Sequence, residues 1–169
     1  TTEIYTLSLH DALPIWQLGG LKGNRNAIAE TIENNVRRKI IKEHLTDPAF
    51  YEKMSAQLQE IIELRKAKAI EYEDYLKRIA ELAKRVEAGK GDDAPEKLDT
   101  PGKRALWNNL GQNEALALQI DATVRRVRPD GWRGVQARER VIKAALYGVL
   151  QDLAEVERIF LIVRAQTEY

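Results

Sequence analysis

Residues 27–86 read AIAETIENNVRRKIIKEHLTDPAFYEKMSAQLQEIIELRKAKAIEYEDYLKRIAELAKRV, and this stretch decides the fold. Apolar side chains recur every four positions at Ile28, Ile32, Val36 and Ile40, with Ile41 and Leu45 widening the stripe. That spacing keeps one face of a 3.6-residue helix apolar and predicts a first helix over about 26–45. Asp47-Pro48 then restarts the chain. A carboxylate can accept from an orphan N–H at a helix start, and proline suits the first helical position because its missing N–H has no partner there anyway. The second helix presents Tyr51, Met54, Leu58, Ile61 and Ile62. The third presents Tyr72, Leu76, Ile79, Ala83 and Val86, with Tyr75 and Leu82 beside them. The phase runs almost unbroken from Leu58 to Leu76, with Arg65 the only polar intrusion, so one long helix competes with two. A helix from Pro48 to Val86 would far exceed the usual length, which predicts a bend over 68–71.

Working outward, GKGDDAPEKLDTPG (89–102) is a loop, and Thr100-Pro101 repeats the cap-plus-proline start for a short helix through Leu110. A fifth helix is expected over about 113–127. RPDGWRG (128–134) is a turn-rich break, a sixth helix follows over about 135–150, and Asp152-Leu153-Ala154-Glu155 has capping-box form and opens a seventh. The expected core includes Ile120 and Val124, then Ile142, Leu146 and Val149, then Val156, Phe160 and Val163. Outside the first fifteen residues no strand-like alternation is present. The fold class is therefore all-α, a multi-helix bundle of about six to seven helices.

The chain has 169 residues, enough for one domain with an ample core, and its lack of cysteine excludes disulfides and thiolate metal sites and fits the cytoplasm. No apolar run approaches the roughly 18 residues of a membrane span. Residues 1–15, TTEIYTLSLHDALPI, resemble the translation of a common sequencing adapter and are set aside as a non-native segment on which the fold does not depend. This makes the chain a truncated reading that begins near Trp16, with 16–26 a linker or the remnant of an upstream element. The segment holds Glu3 and Asp11 and no Lys or Arg, so the rest carries 27 basic residues against 24 acidic ones. That mild excess selects no partner class.

Motif chemistry is sparse. The glycines at 19–23 do not match a phosphate-cradling Walker loop. His44 stands alone at the end of the first helix, where a cation is favourable to the dipole, and lacks the partners a metal needs. Glu71, Glu73 and Asp74 suit a helix N-terminus. Basic residues cluster at 37–42 and again at Arg125, Arg126, Arg128, Arg133, Arg138, Arg140 and Lys143. Each cluster reads either as a solvated face or as a contact with DNA phosphates or an acidic partner. Trp132 beside Arg133 is either an interface anchor or a plug for the core beneath its loop. The candidate contact residues are therefore Arg125, Arg126, Arg128, Trp132, Arg133 and Arg138.

Taken in order, IAETIENNVRRKIIKEHLTDPAFYEKMS (28–55), YEDYLKRIAELAKRV (72–86), TPGKRALWNNLGQNEALAL (100–118), RPDGWRG and VERIFLIVRAQTEY (156–169) resemble the C-terminal helical domain of the R (restriction and motor) subunit of type I restriction enzymes. The resemblance covers essentially all of 27–169. It implies an interaction domain that docks the motor onto methyltransferase and specificity subunits in a bacterial defence complex, and that meets DNA through that complex. The complete subunit would use ATP and magnesium. The nuclease and Walker residues have no counterparts in this chain, so no catalytic, cofactor or metal residue is carried over, and the chain alone is expected to be no enzyme. A helical nucleic-acid-binding module using the basic 125–143 surface is the alternative.

Overall fold

The computed structural model describes residues 25–169. These form seven α-helices, α1 (Arg25–Glu43), α2 (Pro48–Lys66), α3 (Tyr72–Ala88), α4 (Pro101–Asn109), α5 (Glu114–Val127), α6 (Gln136–Leu150) and α7 (Leu153–Ala165), with a 3-10 turn at His44–Thr46 and no strand among the described residues. The all-α expectation holds. The readings of 1–15 and of 16–24 lie outside the described residues. Where the sequence suggests one domain, the described chain divides into two compact units, residues 25–42 with Lys53–Gly89, and Glu43–Glu52 with Lys90–Tyr169.

In the first unit, α1, α2 and α3 contribute Val36, Ile40, Met54, Leu58, Ile61, Ile62, Tyr75, Ile79, Leu82 and Val86 to the buried interior. The α1 stripe departs from expectation. Its inward face is Ala29, Glu33, Val36 and Ile40, while Ile41 is 69% exposed. The cause is Glu33, which turns inward to meet the one polar intrusion in α2. Arg65 donates through Nε to Glu33 Oε1 at 2.7 Å and through Nη2 to Oε2 at 3.2 Å. Tyr75 adds its hydroxyl to Glu33 Oε1 at 3.2 Å and lies 3.3 Å from the Ala29 carbonyl. The Glu33 hydrogen bond holds the Arg65 guanidinium above its ordinary value, and burial followed by the Glu33 charge raises the Tyr75 phenol. A buried charge is tolerable only when paired in this way.

Helices α2 and α3 are separate, which excludes the single long helix. The Ala69 N–H donates to the Leu64 carbonyl at 2.9 Å and the Lys68 N–H to the Arg65 carbonyl at 3.0 Å, with Lys68 left-handed at φ 53°. That pairing is the Schellman closure of a helix C-terminus. Glycine normally takes the left-handed position, so lysine leaves the break unmarked in the sequence. Glu73 and Asp74 then occupy the first turn of α3.

The second unit packs α4 on α5, α5 on α6 and α6 on α7, and α7 closes the ring onto α4 and the 3-10 turn. Leu106, Ile120, Val124, Ile142, Leu146, Ile159, Phe160 and Val163 fill it. The predicted caps are in place. Thr100 Oγ1 accepts from the Lys103 N–H at 3.3 Å, and Asp152 Oδ1 accepts from the Ala154 and Glu155 N–H groups at 2.8 and 3.1 Å. Glu155 does not return the capping-box bond and pairs instead with Arg158. Leu45, expected on the α1 face, is 73% exposed because the chain tightens into the 3-10 turn before reaching it and so changes phase.

Candidate interaction surface

The basic segment from α5 through the 128–135 loop into α6 is the site to which the sequence points. Its side chains separate into two groups. Arg125 donates through Nε to both Asp121 oxygens at 3.0 and 3.1 Å and through Nη2 to Glu168 Oε2 at 2.7 Å, and it stacks 5.0 Å from the Tyr169 ring. The Asp121 bond is the main reason that its guanidinium is held above its ordinary value. Arg133 donates to the carbonyls of Arg164, at 3.1 Å, and Gln166, and lies over the Trp132 ring at 4.5 Å. Arg138 donates to the Asp130 carbonyl at 2.8 Å and sits 3.3 Å from that of Gly131, clipping the loop to α6. Lys143 pairs with Glu157 at 2.7 Å and covers the Phe160 ring. By contrast, the side chains of Arg126, Arg128 and Arg140 are exposed and make no hydrogen bond or ion pair with any described residue.

Trp132 is 2% exposed and packs edge-on to Phe160 with ring centroids 5.8 Å apart. The plug reading is the one the structure bears out, and Trp132 leaves the set of exposed contact residues. Trp132 joins the same buried cluster as Ile120, Val124, Ile142 and Leu146, so the loop that carries it is pinned to the core. Its Nε1 is buried without an acceptor among the described residues.

Sequence reasoning missed the C-terminal tail as a partner of Arg125 and Arg133. Tyr169 is buried and donates its hydroxyl to Asp121 Oδ1 at 2.7 Å. The Glu168 carboxylate accepts from the Gly102 N–H at the start of α4, and the Gln166 amide donates to the Thr46 carbonyl at 2.6 Å. A Cβ at Gly102 would meet the Glu168 carboxylate and would lie 2.9 Å from the Tyr169 hydroxyl, so a larger residue there would have to displace the tail's two side-chain ends. Pro101-Gly102 was the one local signal, since glycine just inside a helix start has no propensity reason.

A second feature of this unit is a trough of about 730 Å³ lined by Leu45, Pro48, Ala49, Leu161, Ile162 and Ala165. Behind it, Asp47 is 5% exposed and accepts from Asn108 and Asn109 at 2.8 Å and from the Phe50 N–H at 3.2 Å. Asn109 in turn accepts from the Ala49 N–H at 3.2 Å. Burial nonetheless pushes the Asp47 carboxyl up to about 6. On the charged rim, Glu52 lies 3.4 Å from His44, and Arg158 and Arg164 pair with Glu155 at 2.6 Å and Glu139 at 3.6 Å, so the trough offers mainly apolar contact. Among the described residues no group of three His, Asp or Glu side chains could hold a metal ion, and no helix is long and apolar enough to cross a membrane. No family model matches the chain, and no curated protein or solved structure matches it.

Proposed function

We propose that the chain is an assembly domain of a type I restriction motor subunit, which joins an ATP-dependent DNA translocase and nuclease to its methyltransferase and specificity subunits in the cytoplasm. The observation that carries this reading is the ordered resemblance of five segments spanning 28–169. The helical build is compatible with it. ATP, magnesium and cutting chemistry belong to the rest of such a subunit, and this chain contributes binding surface. The test is gel filtration of the chain with a methyltransferase–specificity core. The expected result is a stoichiometric complex formed without DNA, and a chain that elutes free of the core overturns the reading.

The alternative, a nucleic-acid-binding module, is favoured by the three unpartnered cations Arg126, Arg128 and Arg140. It is weakened by the engagement of Arg125, Arg133, Arg138 and Lys143 within the fold. Three phosphate contacts would give a slope of about −3 in log affinity against log salt on duplex DNA. Such a slope, without core binding, would favour the alternative.

A further inference from the structure

The trough against α7 carries both a hollow and the groups to fill one. The 3-10 turn and the start of α2 supply one side, with Leu45, Pro48 and Glu52, and α7 supplies the other, with Arg158, Leu161 and Arg164. Leu45 is 73% and Leu161 60% exposed, so two large apolar side chains stand at one hollow of about 730 Å³. Single exposed leucines are ordinary, but two at a shared apolar hollow fit a surface that another molecule covers. The amides at its base donate to Asp47, Asn108 to Oδ2 and Asn109 to Oδ1, rather than into the hollow. The space is therefore suited to apolar side chains and not to a polar small molecule. The charges that line it are divided by side. Glu52 belongs to the α2 side, and Arg158 and Arg164 belong to the α7 side.

From these observations we infer that the trough is the contact face of a two-fold dimer, in which each copy seats its Leu161 in the other's hollow beside Leu45. A two-fold contact uses one patch on both copies, so the patch must complement itself. This one holds apolar knobs together with the hollow that takes them. Rotation sets the α2 side of one copy against the α7 side of the other, so that Glu52 faces Arg158 and Arg164 across the contact. A partner carrying one sign of charge would meet its like on one side. The formal net charge of the chain, +1, sets little repulsion against pairing. The contact is small, which makes a weak, concentration-dependent dimer. The inference uses this surface alone and stands whatever the parentage of the chain.

Sedimentation equilibrium of the full chain across a range of concentrations tests it. A reversible monomer–dimer equilibrium that stops at two copies is expected. Leu45→Arg and Leu161→Glu, both at exposed positions, should each weaken association roughly tenfold or more, with the thermal midpoint of the dilute chain unchanged. Mixed together, the two variants should associate again, because a mixed pair sets the new arginine against the new glutamate and leaves the second leucine pair intact. Neither non-specific apolar contact nor a misfolded variant would give that rescue. A chain that stays monomeric at every concentration, association that either variant leaves intact, growth beyond two copies, or no rescue in the mixture would each overturn the inference. So would a monomer in which Leu161→Glu abolishes binding to a methyltransferase–specificity core, since the trough would then belong to that partner.

Discussion

Arg65 shows how one residue can be conspicuous in the sequence while its meaning stays hidden. It breaks an otherwise apolar phase, and only the fold reveals Glu33 and Tyr75 opposite it. Removing one member of a buried ion pair leaves the other uncompensated, so Arg65→Met should cost roughly 3–5 kcal/mol in denaturant unfolding. The double change with Glu33→Leu should recover most of that, and a double variant no more stable than the single one would contradict the account. Trp132→Ala should likewise cost roughly 3–5 kcal/mol, as expected of a buried indole, and a loss below about 1 kcal/mol would mean that the side chain lies outside the core. Asp47 carries a pH dependence. Its folded carboxyl is raised from 3.8 to about 6, so between these values the folded chain keeps a proton that the unfolded chain has lost. The stability it contributes is fully present below about pH 4 and is lost as the pH rises through about 6, up to roughly 3 kcal/mol. Relative to Asp47→Asn, the wild type should therefore lose unfolding free energy from pH 4 to pH 7, and a rising or flat difference would refute this.

Helix starts were the most legible elements, because caps are written locally. Asp47-Pro48, Thr100-Pro101 and Asp152 each begin a helix as their chemistry dictates. The end of α2 was legible only as a length argument. Its closure uses Lys68 in the left-handed region, a conformation that costs an L-residue roughly 1–2 kcal/mol and that glycine adopts freely. Lys68→Gly should therefore raise stability by about 1 kcal/mol in thermal or denaturant unfolding, and a loss would mean that the lysine side chain holds the turn. Gly148→Ala should also stabilise by roughly 0.5–1 kcal/mol, since α6 has room for the methyl group. The face of α1 held at Val36 and Ile40, but in its first half it lies one position later than expected, at Ala29 and Glu33, because a glutamate, not an isoleucine, turns inward there. Periodicity treats charge as outward and cannot see a partner thirty-two residues away.

At the scale of the whole molecule, composition and period give an all-α chain, and the two-unit division is legible in neither. The candidate site was legible as a cluster of arginines and not as their use. Four of the seven basic side chains hold the loop, the C-terminal tail or α7, a distribution that depends on which carbonyls and carboxylates the fold brings to them. Arg126, Arg128 and Arg140 stay exposed, and the large apolar side chains left exposed in the second unit include Leu45, Leu153 and Leu161. The central claim, that this chain is a docking domain, is tested most directly by hydrogen exchange of the full chain with and without a methyltransferase–specificity core. The account predicts slowed exchange in the second unit in the absence of DNA. Exchange unchanged across the chain in the presence of the core would contradict it.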